Sequence, residues 1–161
     1  MPLPPGTLAP PASAVSLDGT PVDLPALAAA RPALLFFYKG DCAASDAAAH
    51  VLPRAAAIGG VAVAAVSQDD AFLTEVFARN HRLAGPVRVL LDPEPWPASD
   101  AFGVLSTPTW ILLAPGGRVH AVLEGWSRDD ANALAARAAA LANAAPVVVS
   151  TPADGPAFRP G

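Results

Sequence analysis

Residues 33–45 read ALLFFYKGDCAAS, an apolar run followed by a short polar stretch and a cysteine. Ala33 to Tyr38 are all apolar or aromatic, which is typical of a strand buried on both faces of a parallel sheet. The alanine-rich sequence from Ser45 to Ile58 predicts a helix, which Pro53 is expected to kink or divide. Cys42 therefore falls between a buried strand and the first turn of a helix.

The flanking sequence extends this pattern into alternating strands and helices. Short apolar runs around Asp18-Gly19 predict a hairpin, and Pro21 places its second strand at a sheet edge. A second buried strand at Val61–Val66 completes a right-handed parallel crossover. The remaining predicted elements are a helix ending before Gly85-Pro86, a strand at 87–91, a helical turn at 99–102, a hairpin turning at Gly116-Gly117, and a helix from Ser127 to Asn143. The order predicts an α/β fold with a mixed sheet covered by helices on both faces.

The length of 161 residues and the mass of 16.2 kDa suit one domain with its own hydrophobic core. We predict an extended N-terminal arm over residues 1–13, the folded domain over 14–143, and a proline-rich C-terminal tail over 144–161. The tail is expected to be mostly disordered, with a possible short strand at Val147–Val149.

Charge and hydropathy exclude several classes of partner. Ten basic and fourteen acidic residues give a net charge of -4, with no basic patch for a nucleic acid. The sequence contains no run of about 18 apolar residues, so it predicts no membrane span. Because Met1–Ala12 lacks a positively charged segment and an unbroken apolar segment, we predict a soluble cytoplasmic protein.

Cys42 is the one cysteine, so an internal disulfide and a multi-cysteine zinc site are excluded. His50, His81 and His120 have no metal-ligand spacing, so we predict no metal and no cofactor. Any redox chemistry must therefore depend on a single thiol.

The position of Cys42 predicts an activated thiol. Backbone N–H groups and the positive end of the helix dipole favour thiolate at the start of a helix. Lys39, the only lysine, can add a second favourable charge, which Asp41 and Asp46 oppose. The alternative is that Cys42 is simply a small buried apolar residue. The end of a strand in an open α/β sheet is a usual place for a site, which favours a functional thiol.

Two motifs carry a resemblance to a known fold. Cys42 and Ser45 form a Cys-x-x-Ser at the strand–helix junction, and Thr107-Pro108 precedes a strand hairpin. With the order of elements, these motifs resemble the thioredoxin fold. More closely, the chain resembles the redoxin and alkyl hydroperoxide reductase/thiol-specific antioxidant family over about residues 7–142. The other segments similar to that family are Ala9–Ala12, Leu17–Val22, Val66–Asp69 and Leu91–Pro93.

The resemblance implies a role for each matching residue. Cys42 matches the cysteine that attacks the substrate disulfide, and Ser45 stands where the family has its resolving cysteine. Pro108 matches a cis-proline opposite the nucleophile, and the backbone of Thr107 would pair with a bound peptide or thiol compound. The family commonly has a proline eight residues after the nucleophile, where this chain has His50.

These residues predict a thiol-disulfide oxidoreductase of the redoxin class that uses one thiol. Because the Ser45 hydroxyl cannot attack a mixed disulfide, an external thiol must resolve it. The expected partners are an external low-molecular-weight thiol or a protein disulfide, and the expected role is antioxidant, in cell redox homeostasis. The predicted catalytic residues are Cys42, Ser45 and Lys39. The predicted substrate-binding residues are Thr107, Pro108, Tyr38 and Trp110.

Two alternative functions remain open. A peroxiredoxin-like peroxidase would use a Pro-x-x-x-Thr-x-x-Cys pattern, but Leu35 and Lys39 stand at the proline and threonine positions. A redox-silent binding module of the same fold would hold a protein partner in the groove beside Pro108. Reactivity of Cys42 separates the binding module from both redox functions.

Overall fold

A computed structural model describes residues 1–161 and contains nine strands and five α-helices. The strands are β1 (Ser13–Ser16), β2 (Pro21–Asp23), β3 (Ala33–Tyr38), β4 (Ala62–Ser67), β5 (Arg88–Leu91), β6 (Thr109–Leu113), β7 (Val119–Glu124), β8 (Trp126–Ser127) and β9 (Phe158–Arg159). The helices are α1 (Ala43–Ala48), α2 (Val51–Ala56), α3 (Ala71–Asn80), α4 (Pro97–Ala101) and α5 (Arg128–Leu141). Short 3-10 turns lie at Pro25–Ala28 and Pro152–Asp154. None of the helices is both long and apolar enough to cross a membrane.

Seven strands form one mixed sheet in the order β2-β1-β5-β4-β3-β6-β7. β3 pairs with β4 and β4 with β5 in parallel, and the other pairs in this sheet are antiparallel. β2 lies at the edge, as Pro21 predicts, because a proline cannot donate to a sheet ladder. The arm lies along the other end of the sheet, where Leu8 bridges Arg118. The predicted mixed α/β sheet is confirmed.

β3 is buried along its whole length because helices cover one face and loops with α4 cover the other. Leu34, Phe36 and Tyr38 point to the cluster formed with α1, α2, α3 and α5. Leu35 and Phe37 point to the second cluster, beneath α4 and the N-terminal hairpin. This alternation of faces explains why the strand appears as a continuous apolar run in the sequence.

The helix predicted over residues 45–58 is divided, but at His50 and not at Pro53. α1 ends at Ala48, and α2 begins at Val51. Pro53 thus lies in the first turn of α2, where a backbone N–H has no partner inside the helix. The proline therefore begins a new helix and does not interrupt a continuing one.

The C-terminal tail is packed on the domain, so the expectation of disorder is wrong. Val149 and Ser150 are buried, and the Asn132 side chain binds the backbone of both. The short strand of the tail is β9, paired with β8, and does not lie at Val147–Val149. Contacts with distant residues supply the ordering that the composition of the tail does not predict.

Candidate active site

Cys42 lies where β3 leads into α1. Its backbone is extended (φ -84°, ψ 121°) and caps the six-residue helix α1. The partly buried Sγ donates a hydrogen bond to the carbonyl oxygen of Thr107 at 3.1 Å. The Thr107–Pro108 bond is cis, as the resemblance implies. The fold thus brings the thiol to a loop 65 residues further along the chain.

The pKa of Cys42 is lowered below its ordinary value. Burial of the thiol opposes ionisation, but hydrogen bonds to the sulfur outweigh it. The donors are the backbone N–H and hydroxyl of Ser45, the side chain of Thr107, and the backbone N–H of Ala44. N–H groups in the first turn of a helix have no partner inside it, so they are free to stabilise a thiolate.

Ser45 occupies a fully buried position beside the thiol. Its hydroxyl is buried and has no hydrogen-bond partner. The hydroxyl is therefore free to donate to the sulfur, and this interaction contributes to the lowered pKa of the thiol. Because a buried unpaired polar group costs about 1–3 kcal/mol, the arrangement favours the thiolate.

Lys39 is engaged with an aromatic ring. Its ammonium nitrogen lies 5.0 Å from the ring centroid of Trp96, at cation–π distance. Lys39 is not among the groups that lower the pKa of Cys42. The loop itself is held by Asp69, whose carboxylate accepts the Gly40 N–H at 2.7 Å. The thiolate is therefore stabilised by hydrogen bonds and not by the predicted lysine charge.

Tyr38 and Trp110 are fully buried. The Tyr38 ring packs against Phe36 and Phe77, and burial raises the pKa of its phenol to about 12. The Trp110 ring packs against Phe36, and its indole N–H donates to the Gly125 carbonyl at 3.1 Å. Both residues lie behind the site, so the structure does not support direct substrate contact by either.

Sequence reasoning missed one part of the site, the C-terminal residues 156–161. A Cβ on Gly161 would lie 2.9 Å from the Thr107 carbonyl oxygen, which also accepts the Cys42 thiol. The only signals in the sequence of this segment were glycine and proline, and these residues are just as typical of ordinary turns as of a close contact with the site. No group of three or more His, Cys, Asp or Glu side chains is arranged to hold a metal ion.

The fold and this site define a thioredoxin-like protein with a single cysteine facing a cis-proline loop. No family model matches the chain, and no curated protein matches it. Similar solved structures include Mycobacterium tuberculosis DsbF, with 26% identity and a TM-score of 0.70 over 81% of this chain and 94% of that one.

Two further structures extend the comparison. A secreted disulfide oxidoreductase of Mycobacterium tuberculosis has 23% identity and a TM-score of 0.67 over 80% of this chain and 95% of its own. A peroxiredoxin-like protein from Aquifex aeolicus has 18% identity and a TM-score of 0.66 over 83% of this chain and 87% of its own. These matches confirm the thioredoxin-like fold. The 26% identity to DsbF also supports the resemblance to the redoxin family.

The comparisons also correct the predicted location. The cytoplasmic prediction rested on the composition of Met1–Ala12 and on the lack of a run of about 18 apolar residues elsewhere. It is wrong, because the thiol-disulfide oxidoreductases similar to this chain include a secreted protein.

Proposed function

We propose that this chain is a monothiol thiol-disulfide oxidoreductase that acts through Cys42 in an extracytoplasmic compartment. The observation that carries the proposal is the position of Cys42 at the start of α1, with its sulfur 3.1 Å from the Thr107 carbonyl oxygen and the buried, unpartnered Ser45 hydroxyl in the first turn of the helix. The similarity to DsbF and to a secreted disulfide oxidoreductase supports the reaction class and the compartment. Disulfides form and persist outside the cytoplasm, so substrates of this class occur there.

The reaction has two exchange steps. The Cys42 thiolate attacks one sulfur of a disulfide, so that the S–S bond breaks, a mixed disulfide forms, and the other sulfur leaves as a thiolate. An external thiolate then attacks the mixed disulfide, releasing Cys42 and a new disulfide. Ser45 stabilises Cys42 as attacking and leaving thiolate, but it cannot perform the second step.

The other predicted site residues have supporting roles in this proposal. Thr107 and the cis-Pro108 loop form the wall against which the substrate lies, because the Thr107 carbonyl already contacts the thiol. Lys39 holds the loop before Cys42 through Trp96. These roles position groups beside the reacting sulfur atoms, while the bond changes occur at Cys42.

The test is the stoichiometry of reaction with 2-hydroxyethyl disulfide. The wild-type chain should release one small thiol and retain a stable adduct at Cys42, detected by intact mass spectrometry. Ser45→Cys should release two small thiols, because a second thiol one helical turn away is within disulfide reach. Cys42→Ser is the control and should release none. A wild-type chain that forms no adduct would contradict the proposal.

A peroxidase is the second candidate, because one similar structure is that of a peroxiredoxin-like protein. Leu35 lies in the core on the opposite face of β3, and Lys39 is held by Trp96, so neither lines a peroxide pocket. Hydrogen peroxide should therefore oxidise Cys42 slowly, like an ordinary exposed thiolate. Peroxide consumption at the rate of dedicated peroxidases would favour the peroxidase. An ordinary or raised pKa of Cys42 would favour the redox-silent module.

A further inference from the structure

The C-terminal segment, defined here as residues 149–161, is fixed at its start by one asparagine. The Asn132 amide oxygen accepts the N–H of Val149 at 2.9 Å and that of Ser150 at 3.1 Å. The amide nitrogen of Asn132 donates to the Ser150 carbonyl at 2.9 Å. Val149 and Ser150 are both buried, so the segment leaves α5 along one defined path.

A second attachment joins the C-terminal segment to α2. Arg54 donates two hydrogen bonds to the Asp154 carboxylate, at 2.7 and 2.8 Å. Asp154 also caps its own turn by accepting the Thr151 N–H at 2.8 Å. His50, just before α2, contacts the Ser150 hydroxyl at 2.8 Å. The segment therefore crosses the break between α1 and α2.

A third attachment brings the C-terminal segment to the site. The Trp126 indole N–H donates to the Pro156 carbonyl at 2.7 Å, and the Arg128 N–H donates to the Ala157 carbonyl at 2.8 Å. β9 pairs with β8, and β9 also packs against α1, the helix that Cys42 caps. These contacts fix the direction of the last residues toward the Thr107 loop.

The last residues pack against backbone atoms beside the thiol. A Cβ on Gly161 would lie 2.9 Å from the Thr107 carbonyl oxygen and 3.3 Å from the Ser106 hydroxyl. A Cβ on Gly125 would lie 2.9 Å from the Gly161 nitrogen and 3.0 Å from the Arg159 carbonyl oxygen. Both glycines are thus needed for this close approach. The Thr107 carbonyl oxygen thus accepts the Cys42 thiol and also lies against Gly161 of the C-terminal segment.

An open cavity of about 420 Å³ remains between α1 and the C-terminal segment. Its lining includes Ala43, Asp46 and Ala47 from α1 and Asp154, Pro156 and Arg159 from the segment. Cys42 does not itself line the cavity, but its neighbour Ala43 does, and a volume of this size suits a small molecule. An extended polypeptide needs a free stretch of backbone to pair with, and Gly161, at the end of the C-terminal segment, packs against the Thr107 carbonyl.

We propose that residues 156–161 occupy the backbone surface beside Cys42 on which an extended polypeptide would lie, so that the folded protein exchanges with low-molecular-weight disulfides and excludes polypeptide disulfides. This inference rests on the proposed exchange function for its substrate class. The exclusion itself is a property of access to Cys42, and alkylation can measure it separately.

The test compares two alkylating reagents on full-length variants. Iodoacetamide is the small probe, and an extended bromoacetyl hexapeptide is the polypeptide probe. Gly161→Val places a branched side chain where no Cβ fits and should displace the last residues. Ala153→Val is the matched control, because Ala153 is exposed in the same segment. The hexapeptide rate relative to the iodoacetamide rate should rise about tenfold in Gly161→Val and stay unchanged in the control.

Hydrogen exchange of residues 157–159 provides the second readout. Faster exchange in Gly161→Val with the rise in relative hexapeptide rate supports the proposal. Faster exchange without that rise overturns it, because the displaced segment would not have blocked access. Unchanged exchange also overturns it, because the segment would not pack on Thr107. Failure of 2-hydroxyethyl disulfide to form an adduct in every variant would refute the exchange function alone, since alkylation still decides access.

Discussion

In the proposed exchange, Ser45 contributes to the activation of Cys42 and also leaves the site without an internal resolving thiol. Its hydroxyl is fully buried without a partner beside the neutral thiol, and it lowers the pKa of Cys42 as a donor to the thiolate. A thiol at this position would instead attack the mixed disulfide and complete a two-thiol reaction. In the proposed exchange, a single oxygen-for-sulfur difference therefore retains activation of Cys42 while removing internal resolution.

Replacing Ser45 by alanine should weaken the activation of Cys42. Loss of one hydrogen bond to the thiolate, worth about 1 kcal/mol, should lower the thiolate fraction at neutral pH about fivefold. The pH profile of iodoacetamide alkylation should shift to higher pH by the corresponding amount. Ser99→Ala is the control, because Ser99 is also buried but its hydroxyl accepts from Gln68 at 3.0 Å. An unshifted profile in Ser45→Ala would mean that backbone N–H groups alone stabilise the thiolate.

At the scale of elements, sequence reasoning succeeded where an element carries its own pattern. β3 was predicted with its exact bounds because an apolar run of β-forming residues needs no knowledge of its neighbours. The N-terminal hairpin followed from Asp18-Gly19 in the same way. The break at His50 was missed, since it depends on how α2 begins around Pro53 and not on the helix interior.

α4 depends on one buried carboxylate. Asp92 is fully buried and accepts the N–H of Ala98 at 2.9 Å and that of Ser99 at 2.7 Å. Asp92→Ala would leave both N–H groups buried without a partner and should lower the free energy of unfolding by about 2–4 kcal/mol. Urea denaturation measures this change. The control Asp100→Ala, on the exposed side of the same helix, should change stability by less than about 0.5 kcal/mol.

At the scale of the whole molecule, the parts that escaped prediction are held by contacts between distant residues. Arg54 and Asp154 are 100 residues apart, and the capping box of Thr151 and Asp154 gives no indication of the pairing with Arg54. The contact between Thr107 and Cys42 could be predicted only from the family resemblance, because residue spacing alone does not predict it. Lys39 is a further example, because it lies close to Cys42 in sequence but its ammonium group stands over the Trp96 ring in the structure.

His50 should make attachment of the C-terminal segment sensitive to pH. The half-buried imidazole contacts the Ser150 hydroxyl, stands edge-on to Trp126, and is faced by charges on Arg54, Arg128 and Asp154. Burial lowers the pKa of His50, and the positive charges of Arg54 and Arg128 lower it further, although Asp154 and the Ala47 backbone oppose them. The folded protein therefore favours the neutral imidazole.

The sign of the pH dependence follows from that lowered pKa. Below the unfolded value of about 6.5 the unfolded chain binds a proton at His50 more readily than the folded chain, so stability should fall as the pH falls. Urea unfolding and hydrogen exchange of residues 149–151 should both show weaker protection at pH 5.5 than at pH 7.5. His50→Gln should flatten this dependence, while His120→Gln, remote from the segment in sequence and in contacts, should retain it. Equal pH dependence in the wild type and His50→Gln would show that His50 does not control the attachment.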